Sequence, residues 1–99
     1  MNTVEYLQQA KKALNIESDY ALAKALGVTR SGMSAHMSGK TTMSDQTACR
    51  VAAIIGKHAG LVMLDMQRER ASTPEQANIW SEVARGFLSL LMPAKSMTA

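Results

Sequence analysis

Residues 20–39 read YALAKALGVTRSGMSAHMSG, and this stretch decides the fold. Two short helical patterns meet at Leu26-Gly27-Val28. Before the turn, Leu22, Ala23 and Leu26 mark one inward helical face. Gly27 fits a position just past the helix end, where left-handed backbone is cheapest for a residue without a Cβ. Val28 is placed to plug the core beneath the turn. Thr29 then caps a second helix that runs to about Met37. Its apolar positions are Met33 and either His36 or Met37, and its outward positions are Arg30, Ser31, Ser34 and Ala35. Gly32 inside it costs about 1 kcal/mol of helix propensity relative to Ala, so neighbours must hold this helix. Gly39 ends it. The stretch reads as helix, tight turn, helix.

The flanking segments carry helical spacing too. Helix 1 is predicted from an N-cap at Thr3 to about Leu14, with Val4, Leu7, Ala10, Lys11 and Leu14 sharing a face. Ser18 caps the next helix, with Asp19 in its first turn. Ser44 caps a fourth, which turns Ala48, Val51, Ala52 and Ile55 inward and closes at Gly56. His58-Ala59-Gly60 reads as a loop or a frayed start. A fifth helix carries Leu61, Leu64 and Asp65 through Arg70, with Val62 and Met66 widening its apolar face. Asp65, Arg68, Glu69 and Arg70 read as a solvated charged face, with Asp65 and Arg68 spaced to pair along the helix. Thr73-Pro74-Glu75-Gln76 is the clearest helix start, with a cap, a proline at the first position and Gln three residues after the cap. The sixth helix then shows a stripe at Ile79/Trp80, Val83/Ala84, Phe87/Leu88 and Leu91. Pro93 stops it, and 94–99 reads as a flexible tail.

Ninety-nine residues make one domain with a short appendage: 1–71 for the body and 72–93 for the last helix. Aromatics are only 4% of the chain, so the core is built from Ala, Leu, Ile, Val and Met, with eight Met giving it soft packing. The net charge is +3, but its distribution says more than its total. Lys24, Arg30, Lys40, Arg50 and Lys57 face a single acid, Asp45, between residues 24 and 57. That is the electrostatic footprint of a polyanion-binding face. The single cysteine, Cys49, excludes an internal disulfide framework and reads as a buried thiol. No signal peptide is evident, and the apolar run Gly86 to Ala94 falls short of the roughly 20 residues that span a bilayer. A cytoplasmic protein without a membrane role is expected. The two His and the Cys lack metal-ligand spacing, and Ser31, Ser34 and Ser38 lack a base and an orienting acid. No metal, no cofactor and no catalysis are expected.

The span from Ser18 to Gly56, about two fifths of the chain, resembles the Cro/CI-type helix-turn-helix family of phage repressors. The resemblance rests on Leu22-Ala23, Leu26-Gly27-Val28-Thr29, Met33-Ser34, Gly39-Lys40 and Val51-Ala52-Ala53-Ile54-Ile55-Gly56. It implies an all-α, lambda-repressor-like five-helix DNA-binding domain with an added C-terminal amphipathic helix. It also implies that the N-terminal half of the third helix lies in the DNA major groove. Thr29, Arg30 and Ser31 would then reach bases or phosphates first, with Ser34 and Ala35 one turn on. Arg30 can give a guanine two hydrogen bonds. Lys40 and the Ser38 and Gly39 amides would touch phosphate. The chain departs from the family at Asp19, where a Gln often grips phosphate, and at His36, where a large apolar residue is common.

The stripe on the sixth helix has three readings: it closes the monomer's core, lies on a membrane surface or pairs with a second subunit. Its polar face is not rich in Lys or Arg, which disfavours the membrane. Five helices of this family already close a core, which makes the sixth surplus apolar surface. Trp80, Val83, Ala84, Phe87, Leu88 and Leu91 are therefore assigned to a homodimer interface, which would match a palindromic operator. Operator occlusion by such a repressor, of phage or prophage origin, is the expectation. The alternatives are an antitoxin-type or accessory regulator whose C-terminal helix binds another protein, and a helical interaction module that has lost DNA binding.

Overall fold

The computed structural model describes residues 1–92, which form six α-helices and, among the described residues, no strand. They are α1 (Thr3–Leu14), α2 (Asp19–Leu26), α3 (Arg30–Met37), α4 (Asp45–Ile55), α5 (Ala59–Arg70) and α6 (Pro74–Leu91). The expected stop at Pro93 and the expected tail over 94–99 lie outside the described residues. The protein is all-α, and no described helix is long and apolar enough to cross a membrane.

Ser18, Thr29, Ser44 and Thr73 each cap the helix expected of them, their hydroxyls accepting the backbone N–H three residues on. Two helix starts differ from expectation. Asn2, not Thr3, caps α1, because Asn2 and Glu5 form a reciprocal capping box with both bonds at 2.9 Å. His58 is no frayed loop: its Nδ1 accepts the Gly60 N–H at 2.9 Å and caps α5.

Thr3 turns inward instead and is 2% exposed. The buried face of α1 is Thr3, Tyr6, Leu7 and Ala10, while Leu14 is 38% exposed and Val4 only half-buried. Tyr6 is the residue that the expected face lacks. Its ring can be buried because its hydroxyl finds Asp65. Leu22, Ala23, Leu26, Met33, Ala48, Val51 and Ala52 join it from α2, α3 and α4, and Met43 from the loop before α4. From α5 the core takes Val62 and Met66; Leu61 and Leu64 lie at the edges facing α6. Cys49 is exposed, not buried, because the inward positions of α4 belong to Ala48 and Ala52 on either side of it.

Asp65, Glu69 and Arg70 are tied to the rest of the fold, whereas Arg68 stays exposed and pairs along the helix with Asp65. Asp65 accepts from the Tyr6 hydroxyl, lies 3.3 Å from the Met1 amine and pairs with Arg68 at 3.6 Å. Burial, then the Asp65 carboxylate, push the Tyr6 phenol well above its ordinary pKa. Glu69 accepts the Thr3 N–H and the Thr3 hydroxyl, each at 2.6 Å. Arg70 donates to the Met43 carbonyl at 2.7 Å. These bonds latch α5 onto the start of α1 and the loop before α4.

The Glu69 latch is pH-sensitive. Burial alone would raise its carboxyl pKa, but hydrogen bonds from Thr3 and Thr42 and the Arg70 charge outweigh it and hold the group below its ordinary 4.5. A carboxylate held low carries fewer protons folded than unfolded. Its stabilisation is therefore present above about pH 4.5 and lost as pH falls through the lower folded value. Glu69→Gln is expected to cost about 1 kcal/mol at pH 7, the site being partly solvated. In denaturant melts, the gap to the parent shrinks below about pH 4; a gap constant with pH contradicts the assignment.

α6 packs on α5, and α3 packs on α1 and α2. A Cβ at Gly60 would lie 2.9 Å from Phe87, so the small residue lets α6 approach there. The His58 and Phe87 rings meet edge to face, with centroids 5.1 Å apart.

Candidate nucleic-acid interface

The α2–α3 turn is built as its residue types require. Gly27 has φ 69° and ends α2 in left-handed backbone. The Val28 N–H bonds the Ala23 carbonyl at 2.9 Å, and Val28 packs against the core. Arg50 reaches across from α4 and donates to the Leu26 carbonyl at 2.5 Å. A Cβ on Gly27 would lie 2.7 Å from that guanidinium, so glycine is fixed twice over, by backbone and by space. Gly32 also acquires a reason. Its N–H bonds Thr29 Oγ1 at 3.0 Å, and a Cβ there would press on the Thr29 hydroxyl at 2.9 Å and on Val28 at 3.2 Å.

With Met33 buried and Met37 packed against the core, α3 turns Arg30, Ser31 and Ser34 to solvent and holds Ala35 at the edge. α3 is distinctive at its start. α1, α2, α4 and α6 carry an acid in the first turn and α3 and α5 carry none, but α3 alone of the six begins with a cation, Arg30. A cation at that end opposes the helix dipole, so its presence there needs another reason than helix stability.

Arg30 has a partner that sequence reasoning missed. Its guanidinium lies 4.7 Å from the centre of the Tyr20 ring, with the Lys24 ammonium 5.9 Å from the same ring. Tyr20 is 51% exposed and lines an open groove of about 410 Å³ with Asp19, Arg30, Ser34 and Ser38. The available signal was an aromatic at an outward position with a lysine four residues on. Asp19, the departure from the family pattern, is paired with Lys11 at 2.8 Å, which neutralises it beside the groove.

Some of the expected phosphate contacts are corrected. The Ser38, Gly39 and Lys40 amides already bond the carbonyls of Ser34, His36 and Ala35 as the C-cap of α3, at 2.9–3.1 Å. The Ser38 hydroxyl donates to the Ala35 carbonyl at 3.1 Å. The Lys40 ammonium is what this end still offers. His36 bonds the Thr41 hydroxyl at 2.6 Å and ties the loop to α3.

The basic footprint also narrows. Arg50 is committed to Leu26, and Lys57 donates to the Tyr6 hydroxyl at 3.1 Å, away from α3. Lys24, Arg30 and Lys40 remain, exposed and paired with no carboxylate among the described residues. No cluster that would hold a metal ion is found among the described residues.

The α6 stripe splits into two faces. Trp80, Ala84 and Phe87 are half-buried against α5, so Ala84 does not look outward as the dimer assignment had it. Val83, Leu88 and Leu91 are exposed, as are Ile79 and Leu90, which that assignment left out.

The chain is similar to the uncharacterized protein Gp-c of Pseudoalteromonas phage PM2, with 30% identity over 83 residues, 79% of this chain and 89% of the phage protein. No family model matches the chain. No solved structure matches it.

Proposed function

The chain belongs to the family of the phage PM2 protein Gp-c, and from that premise we propose that it is a sequence-specific DNA-binding regulator, a phage or prophage repressor acting by operator occlusion. In this reading the body is a lambda-repressor-like helix-turn-helix domain, and α3 enters the major groove start first. The observation that carries it is the opening of α3: an exposed Arg30 on an acid-free helix start, with Ser31 and Ser34 beside it. Arg30 supplies direct readout of guanine, and the Thr29, Ser31 and Ser34 hydroxyls bond bases or phosphates nearby. Lys24 and Lys40, on either side of it in sequence, neutralise phosphates. Tyr20 holds the guanidinium over its ring until DNA takes it. Because the reading side chains are few and small, DNA shape and methyl contacts supply part of the specificity. The protein works by binding alone, in the cytoplasm, as a homodimer on a palindromic operator.

Fluorescence anisotropy with duplex DNA from upstream of its own gene, across a salt series, tests this. Binding is expected to weaken steeply with salt, with a log–log slope of about −0.9 for each phosphate neutralised. Lys40→Ala is expected to flatten that slope by about 0.9 per subunit bound. Binding indifferent to salt, or an unaltered slope in the variant, counts against the assignment.

A further inference from the structure

The outer face of α6 carries a regular seam that α5 does not use. Ile79, Val83, Gly86 and Leu90 follow one another at spacings of four, three and four, the alternation of a coiled-coil seam. Ile79 is 53%, Val83 45% and Leu90 83% exposed. Of the eight exposed large hydrophobics among the described residues, six lie on α6 or at its cap, Met92. Gly86 sits inside an 18-residue helix, more than a turn from either end, where glycine weakens the helix. Nothing in the described fold asks for it: a Cβ there would meet no described atom within 4 Å. A glycine that costs helix stability and faces open space on an apolar seam marks where another helix passes close by.

We propose that the seam pairs with the α6 of a second copy, antiparallel, about a two-fold axis between residues 84 and 85. The inference rests on the homodimer part of the functional reading and specifies its geometry. The axis follows from the order of sizes along the seam. Antiparallel pairing sets Val83 over Gly86 of the partner subunit, and Gly86 under the partner's Val83, so each knob fills the other's notch. Ile79 then faces the partner's Leu90. Glu82, on one flank, comes level with the partner's Ser89 and meets no like charge. Parallel pairing would instead stack Gly86 on the partner's Gly86 and leave a void in the middle of the interface. Trp80 and Phe87, half-buried against α5, lie along the seam edge and widen it. The interface is isologous, as a two-fold dimer requires.

Sedimentation and disulfide trapping test the pairing. The parent chain is expected to pass from monomer to dimer as its concentration rises to about 100 µM. A monomer throughout would overturn the homodimer itself. Gly86→Leu fills the notch while improving helix propensity. It is expected to weaken dimerisation at least tenfold while circular dichroism and melting of the dilute monomer hold or improve. A Gly86→Leu dimer as tight as the parent's would overturn this interface while leaving a dimer in place. Orientation is read in a Cys49→Ser background with Ile79→Cys and Leu90→Cys made as separate chains. On mild oxidation they are expected to cross-link when mixed, and neither with itself. Self-cross-linking of each chain alone would mean a parallel pair and overturn the axis. No arm uses DNA, so failure here is distinct from failure of the reading helix.

Discussion

Arg30→Ala is expected to lose roughly a hundredfold in affinity for its operator while melting at the parent temperature. A bidentate arginine–guanine contact is worth about 1–3 kcal/mol, and a homodimer on a palindrome loses two. The fold should not notice. Arg30 is exposed, caps nothing and pairs with no carboxylate among the described residues; its one close companion is the Tyr20 ring. Removing a cation from the first position of α3 also relieves an unfavourable dipole interaction. Competition titrations against unrelated duplex, run beside thermal melts, separate the two effects. Affinity equal to the parent's would take the reading role away from α3. Affinity and stability lost together would make Arg30 a structural residue.

Gly27→Ala is expected to destabilise the fold by about 3 kcal/mol, which for a domain of this size lowers the melting temperature by roughly 12–24 °C. Two causes contribute. A Cβ at φ 69° costs on the order of 1–2 kcal/mol in left-handed backbone. The same Cβ displaces the Arg50 guanidinium from the Leu26 carbonyl, and a charge-assisted hydrogen bond of that kind contributes about 1.5–3 kcal/mol. Arg50 is long and its end can swing away, so the cost is the bond and not a hard clash. A double-mutant cycle with Arg50→Ala separates the causes. Because both changes remove the same bond, the double variant should be more stable than the sum of the single effects implies. Strict additivity would mean that Arg50 does not brace the turn.

What was legible in the sequence was whatever depends on near neighbours along the chain. The caps at Ser18, Thr29, Ser44 and Thr73, the αL glycine at 27 and the inward set of α2 are settled within one or two helical turns, and they stand where expected. What was not legible depends on partners far away in sequence. Tyr6 is missing from the inward face read for α1 because its burial depends on Asp65, 59 residues on, taking its hydroxyl. Thr3 reads as a cap until Glu69 claims it. The acids and arginines of α5 read as solvated because nothing local to them tells that the start of α1 and the loop before α4 fold beside them.

On α3 the outward set Arg30, Ser31 and Ser34 followed from helical phase alone, whereas the spent amides of 38–40 and the committed Arg50 did not. The charge excess between residues 24 and 57 was real in number but not in place, since Lys57 attends Tyr6. α6 shows the same limit. A stripe wide enough to cover both faces of a helix does not say which half its own fold will take. Gly86 acquires meaning only once its surroundings are known to be empty of described atoms.

Whether the start of α3 reads duplex DNA by sequence is tested, whatever the operator's sequence, by selection of this chain against a randomised duplex pool. The expected result is enrichment of an inverted repeat with a guanine at the same place in each half, lost when Arg30→Ala is the bait. A pool that stays random over successive rounds, or that converges on the same repeat with Arg30→Ala, would contradict that reading.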